Sequence, residues 1–205
     1  MKTLIVTFVV SAFVAVVVTP LVRRFAPAIG SVDLPSGRRV NKKVIPRLGG
    51  VAILLGFLAP LLGLFIYSNR ISIIFQSDMH RVISLFLGSI VIAATGALDD
   101  IRGSRAIVKL VVQILVAVGA YLGGYQINTI TLPFTGSLEM GIFAMPITTL
   151  WIVGIVNAVN LIDGLDGLAA GVAFFVCVVN FTIGIISNNI LLALFAVALG
   201  GALIG

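Results

Sequence analysis

Charge is what this chain has little of. Only 10% of its 205 residues are charged, thirteen basic and seven acidic, less than half the share of an ordinary soluble domain. A lone cysteine, Cys177, excludes any disulfide or thiolate metal site built within the chain. It lies in an apolar run and reads as a small buried residue. The lone histidine, His80, has Asp78 and Arg81 for neighbours and reads as a solvated loop residue rather than a ligand. Low-complexity tails, soluble linkers and internal repeats are also missing, so residues 1–205 read as one domain.

What fills the chain is hydrocarbon. Hydrophobic residues make up 60% of it and the mean hydropathy is +1.24, which excludes a soluble domain. Apolar runs long enough to cross a ~30 Å hydrocarbon core fall at about 4–22, 48–67, 82–98, 107–123, 142–159, 168–187 and 190–205. The expected fold is an all-α integral membrane protein, a polytopic helix bundle of about seven spans. The first run is longer than a signal-peptide core and lacks a small-residue cleavage pattern before Arg23 and Arg24, so it reads as a retained helix. Between Gly124 and Gly141, β-formers alternate around Pro133 and Gly136 and predict a short external β-hairpin.

The basic residues orient the bundle. Seven of thirteen (Arg23, Arg24, Arg38, Arg39, Lys42, Lys43 and Arg47) follow the first span, and Arg102, Arg105 and Lys109 follow the third. The positive-inside rule makes both loops cytoplasmic, and alternation then brings the segment after the fifth span to the same side. Topology accounts for most of the +6 net charge, so no nucleic-acid partner is needed to explain it. Attraction to anionic lipid is an equally sufficient account of the Arg38, Arg39, Lys42 and Lys43 cluster.

Against this apolar background, Asn157-Ala-Val-Asn160-Leu-Ile-Asp163-Gly164-Leu-Asp166-Gly167 places two amides and two carboxylates at a constant spacing of three. On a continuous helix these form a ladder along one face, with rungs ~4.5 Å apart. Oxygen-only ligands suit a hard cation such as Mg²⁺, which carboxylates commonly hold together with substrate phosphates. A polar seam between helices is the bland alternative. Gly164 and Gly167 argue against it, because two glycines in one turn weaken a helix and admit close backbone approach.

A second acidic pair, Asp99 and Asp100, closes the third span. Two carboxylates ~4 Å apart repel by about 4 kcal/mol at an effective dielectric of ~20, so a cation must be near. In the bland alternative, a solvated helix end with topogenic charges, Arg102 and Arg105 serve as plain structural partners. The functional reading is the stronger, because four of the seven acidic residues then fall in two pairs on one predicted face. Lys109, near the start of the fourth span, is costly there unless it pairs or snorkels. Gln113 shares its helix face.

In these residues, together with Asp33-Leu-Pro35, Arg38-Arg39 and Ile45-Pro46-Arg47-Leu48-Gly49-Gly50, the sequence resembles the polyprenyl-phosphate N-acetylhexosamine-1-phosphate transferases of glycosyltransferase family 4. The resemblance covers nearly the whole chain. The Ile45–Pro46 segment and its glycines are similar to the undecaprenyl-phosphate N-acetylglucosamine-1-phosphate transferase branch more than to the phospho-N-acetylmuramoyl-pentapeptide transferases of peptidoglycan synthesis, which are the alternative. Asn41 stands where the family usually has a histidine. The family also continues past the seventh span with another acidic motif, a His-rich loop and further spans. By that comparison the 205 residues are an N-terminal part with little activity alone.

The resemblance implies transfer of a sugar-1-phosphate from a UDP-N-acetylhexosamine, GlcNAc by the branch it resembles, to a polyprenyl phosphate (undecaprenyl or decaprenyl) at the cytoplasmic membrane face, releasing UMP. This is the first step of lipid-linked cell-envelope polysaccharide synthesis. Mg²⁺ is the implied cofactor, with Mn²⁺ as a substitute, and Asn160, Asp99 and Asp100 the implied ligands. Asp99, Asp100, Asp163 and Asp166 are the implied catalytic residues. Lys109, Asn157, Asn160, Arg38, Arg39 and Lys42 are implied to bind phosphate or substrate. Relatives suggest a homodimer, for which Gly119-x-x-x-Gly123 and Gly201-x-x-x-Gly205 offer close-contact spacings, although packing inside one subunit explains them as well. The rival classes are a cation-coupled transporter and a non-catalytic membrane fragment. Transporter sites lie near the bilayer midplane, whereas these carboxylates fall at span ends.

Overall fold

In the first helix the polar and small side chains face inward and the large apolar ones face out. Helix α1 (Lys2–Phe25) buries Leu4, Thr7, Ser11 and Ala15, a stripe at helical spacing, while Ile5, Val6, Val9, Phe13 and Val16 are exposed. That inversion suits lipid, where large apolar surface has nothing to gain from burial and small residues let backbones meet. The computed structural model describes residues 1–33, 45–132, 136–163 and 167–205.

Six further apolar helices follow where hydropathy predicts them: α2 (Gly49–Gly63), α4 (Met79–Arg102), α5 (Ala106–Leu122), α6 (Ala144–Ile162), α7 (Leu168–Ile186) and α8 (Ile190–Ile204). Among the described residues four helices, α1, α4, α6 and α7, are long and apolar enough to cross a membrane. The other three, with 15, 17 and 15 residues, reach only about 22–26 Å at the α-helical rise. The expectation of seven spans is therefore met in position for seven helices and in length for four. His80 belongs to the first turn of α4 rather than to a loop. Its Nε2 stays 3.4 Å from Asp78 Oδ1, and its side chain is exposed.

One helix escaped hydropathy. Helix α3 (Arg70–Ser77) is short, and Asn69 Oδ1 caps it by accepting from the Ile71 and Ser72 N–H groups at 2.8 and 3.0 Å. An Asn before a short amphipathic run is a start signal that length-based span reading passes over. The predicted hairpin is present as β3 (Thr129–Leu132) paired antiparallel with β4 (Gly136–Glu139), Thr129 opposite Glu139 and Leu132 opposite Gly136. A second antiparallel pair joins β1 (Val32–Asp33) with β2 (Ile45–Pro46), strands of two residues each that are too short to show alternation in sequence.

The chain divides into two compact units. The first comprises Met1–Ser77, Ala93–Ser104 and Ala170–Gly205, and the second Asp78–Ile92 and Arg105–Ala169. In the first, α1, α2 and α8 pack closely on one another. Pro60 inside α2 has no N–H to give the Gly56 carbonyl one turn back. The fully buried Ser11 hydroxyl fills that vacancy, donating to Gly56 O at 2.7 Å and also lying 2.7 Å from Ala198 O. Phe75 is fully buried beside Phe65 and Phe195, with ring centroids 5.4 and 6.3 Å away.

Glycines set the approach distance. A Cβ on Gly201 would lie 2.5 Å from Phe8 O, and one on Gly205 would lie 2.6 Å from Ala15 Cβ. The Gly201-x-x-x-Gly205 spacing is thus spent on contact with α1 inside the subunit. In the second unit Gly123 abuts Ser84, whose hydroxyl donates to Gly119 O at 3.2 Å, whereas a Cβ on Gly119 itself would meet nothing within 4 Å.

The second unit is centred on α5 packed against α6. The Thr148 hydroxyl, itself donating to Ala144 O at 2.6 Å, accepts the Ile127 N–H at 2.9 Å and ties the approach to the hairpin onto α6. Tyr125, in the loop after α5, donates to Arg81 O at 3.2 Å. Burial pushes its phenol up to about 12, with Arg81 acting against the shift and Asp78 adding to it. It therefore remains a neutral donor throughout the physiological range.

Candidate functional site

The two Asp residues at the end of α4 occupy the worst end of a helix for a carboxylate, since the C-terminus carries partial negative charge. The local structure compensates each in its own way. Gly103, at φ +69°, turns the chain back, and its N–H donates to Asp99 O at 2.8 Å. The Ser104 N–H then donates to Asp99 Oδ1, also at 2.8 Å. This left-handed turn favours glycine, which accounts for Gly103.

Asp100 has been given a cation and a helix start. Arg47 Nη1 lies 3.9 Å from Asp100 Oδ1, and the Leu48 N–H makes a long hydrogen bond of 3.4 Å to Oδ2. Leu48 is the N-cap of α2 and adopts φ +77°, so the carboxylate stands at the positive end of that helix, where N–H groups lack partners. A bond from Arg47 N–H to Ser31 O at 3.0 Å, next to the β1–β2 pair, anchors the segment. Sequence proximity points to Arg102 and Arg105 as the compensating cations, and the structure instead supplies Arg47 to Asp100 from a distant segment. The signal was legible in part. Pro46 before Arg47 and glycines at 49 and 50 mark a loop opening into a helix, but nothing local says which acid it meets.

Lys109, Asn157, Asn160 and Asp163 belong to the second unit. Lys109 and Gln113 lie one turn apart on α5, so they share a face. Gln113 reaches α6, where its Oε1 accepts from Asn157 Nδ2 at 2.7 Å; the same Nδ2 also donates to Val153 O at 2.8 Å. The expected four-rung ladder is shortened by the backbone. Helix α6 ends at Ile162, and Asp163 follows as its C-cap at φ −75°, ψ 57°, its N–H still bonded to Val159 O at 3.1 Å. Among the described rungs, only Asn157 and Asn160 lie on a helix. Gly167 at φ +77° then leads into α7 at Leu168, a conformation L-residues rarely adopt. Gly167, one of the two glycines that argued for close backbone approach, thus precedes the start of α7, and Gly164 lies outside the described residues.

Asn160 and Asp163 are exposed and make no side-chain hydrogen bond among the described residues. Asp166, Arg38, Arg39 and Lys42 lie outside the described residues. No group of three or more His, Cys, Asp or Glu side chains converges among the described residues. Within each unit the candidate ligands nevertheless offer oxygens: two carboxylates at the end of α4 in the first, and two amides and a carboxylate at the end of α6 in the second. Such donors suit a hard cation that takes part of its shell from a substrate's phosphates. Cys177 is buried, as its surroundings in sequence imply.

The glycosyl transferase family 4 pattern matches residues 82–205. Over 171 residues, 83% of this chain, there is 40% identity with a Bacillus subtilis (strain 168) protein named as a probable undecaprenyl-phosphate N-acetylglucosaminyl 1-phosphate transferase. Phospho-N-acetylmuramoyl-pentapeptide-transferases of Halalkalibacterium halodurans and Clostridium beijerinckii are 34% and 32% identical over 99% and 80% of the chain. The chain spans 45%, 64% and 52% of the lengths of these three relatives.

Proposed function

We infer the function from the premise that this chain belongs to glycosyl transferase family 4, and propose that the intact protein transfers a UDP-linked N-acetylhexosamine-1-phosphate to a membrane polyprenyl phosphate. The observation that carries this reading is the compensated pair Asp99 and Asp100, held at a helix end near Arg47 in a protein with seven acidic residues among 205. An oxygen of the polyprenyl phosphate attacks the β-phosphorus of the UDP-sugar. A new P–O–P bond forms, the bond from that phosphorus to the bridging oxygen breaks, and UMP leaves with that oxygen.

Chemistry of this kind depends on placing phosphoryl oxygens and neutralising their charge. Lys109 supplies an ammonium to phosphate. Asp99 or Asp100 orients the polyprenyl phosphate, whose second pKa of ~6 leaves little need for a strong base at neutral pH. Asn160, Asp163 and Asp166 complete the nucleotide side. A Mg²⁺ ion, with Mn²⁺ as a substitute, would be held by Asn160, Asp99 and Asp100 and would neutralise the diphosphate. Purified intact protein given a panel of UDP-sugars and undecaprenyl phosphate should release UMP and yield a lipid diphospho-sugar by mass spectrometry. Product with UDP-N-acetylglucosamine supports the main reading, and product only with the UDP-muramoyl-pentapeptide supports the second, which the names of two relatives favour. No UMP with any of them would sink both.

Orientation is a separate proposal. The basic loops, and with them the end of α4, lie on the cytoplasmic side. In a Cys177→Ala background, Ser104→Cys should react with an impermeant maleimide only from the cytoplasmic side, and Ser137→Cys, in β4, only from outside. The opposite pattern would overturn the arrangement.

A further inference from the structure

Asn157 has one donor group and one acceptor, and its neighbours use up the donor. Its Nδ2 carries two hydrogens; one goes to Val153 O at 2.8 Å and the other to Gln113 Oε1 at 2.7 Å. The amide cannot be turned over without cost, because Oδ1 would then face a backbone carbonyl that only accepts. The Gln113 amide answers in kind by offering its oxygen. Both side chains are partly buried, so an unmade bond there would not be replaced at full strength by water.

We propose that Gln113 is a positioning residue: it holds the Asn157 amide so that Oδ1, an acceptor, is the atom presented to substrate. This deepens the reading given under the proposed function and rests on it, since it takes the α6 asparagines to meet the sugar nucleotide. It also changes the role of Asn157. An oxygen with no hydrogen to give repels phosphate oxygens, so Asn157 recognises an electropositive partner rather than the diphosphate. Two sources supply one: the N–H or O–H hydrogens of the UDP-sugar, or a hard cation bound with it.

The test separates acceptor from bulk in the intact protein. Gln113→Met keeps the length and loses the acceptor, Gln113→Asn keeps the amide and shortens the reach, and Gln113→Glu keeps an oxygen where Nδ2 donates. Met and Asn should each lower kcat/KM for the UDP-sugar about tenfold, the scale expected when a reacting partner is misplaced. Glu should stay within about twofold, because the acceptor survives. A residue that only packed the α5–α6 contact would rank these variants by shape, with thermal unfolding midpoints following the same order, and Met would be the mildest. Full activity in Met and Asn, or a Glu variant as damaged as Met, overturns the proposal.

Calorimetric UDP-sugar binding with and without EDTA assigns the source. An affinity loss in Gln113→Met that persists in EDTA assigns substrate hydrogens, and one that disappears there assigns a cation. Asn157→Ala keeps this failure distinct from that of the underlying reading. Full turnover in Asn157→Ala removes α6 from the substrate site, whereas a dead Asn157→Ala beside unaffected Gln113 variants removes only the positioning role.

Discussion

Asp99→Asn in the intact protein is expected to lower UMP release by about 100-fold or more, the usual cost of deleting one preorganised charge at a phosphoryl or acyl transfer centre. The substitution is informative because of what it spares. An asparagine Oδ1 accepts the Ser104 N–H as the carboxylate does at 2.8 Å, so the turn at Gly103 and the end of α4 persist while the charge is removed. Asp100→Asn should act in the same direction for a different reason, since it leaves the Arg47 guanidinium facing a neutral amide instead of a carboxylate at 3.9 Å. Expression and membrane insertion of both variants should match wild type on immunoblots of membrane fractions. Wild-type UMP release by Asp99→Asn would reduce that residue to a cap on a helix end.

Gly201→Val should be the most damaging single change to the fold among those considered. The Cβ alone would lie 2.5 Å from Phe8 O and 2.7 Å from Ser11 Cβ, and the first of these contacts is backbone that cannot rotate away. Overpacking ordinarily costs ~1–3 kcal/mol, and a β-branched side chain against a helix backbone belongs at or above the top of that range. Separation of α8 from α1 would also pull Ala198 O away from the Ser11 hydroxyl, now 2.7 Å apart. The unfolding midpoint in detergent should fall by about 10 °C or more. Gly154→Ala is the control, because a Cβ there meets nothing within 4 Å and alanine gains up to ~1 kcal/mol of helix propensity over glycine. A Gly201→Val variant as stable as Gly154→Ala would mean that α1 and α8 do not meet as described.

The membrane class, the positions of seven apolar helices and the hairpin between Gly124 and Gly141 were all legible in the sequence. They depend on composition, on apolar run length and on alternation, which are properties of neighbouring residues. The pairing of Asp99 with Asp100 was legible for the same reason. Sequence also marked the Asn157 segment as costly in lipid, whatever its backbone does.

Partnership and direction were decided by the tertiary structure. Arg102 is two residues from Asp100, yet Arg47 pairs with it because the β1–β2 contact and the start of α2 bring a remote guanidinium and an unpaired N–H to the same carboxylate. The ladder predicted by a spacing of three assumed a continuous helix, and α6 stops at Ile162 before its third rung. Asn157 was recognisable as a polar group in lipid, but which of its two polar atoms is free depends on Gln113 across the α5–α6 contact. The glycine spacings allowed either subunit association or internal packing, and the structure uses Gly201 and Gly205 for close approach to α1 and Gly123 for contact with Ser84. Local sequence sets helix type and burial tendency through short-range sterics and hydration, whereas the partner of a charge and the orientation of an amide follow from which distant backbone comes within ~3 Å.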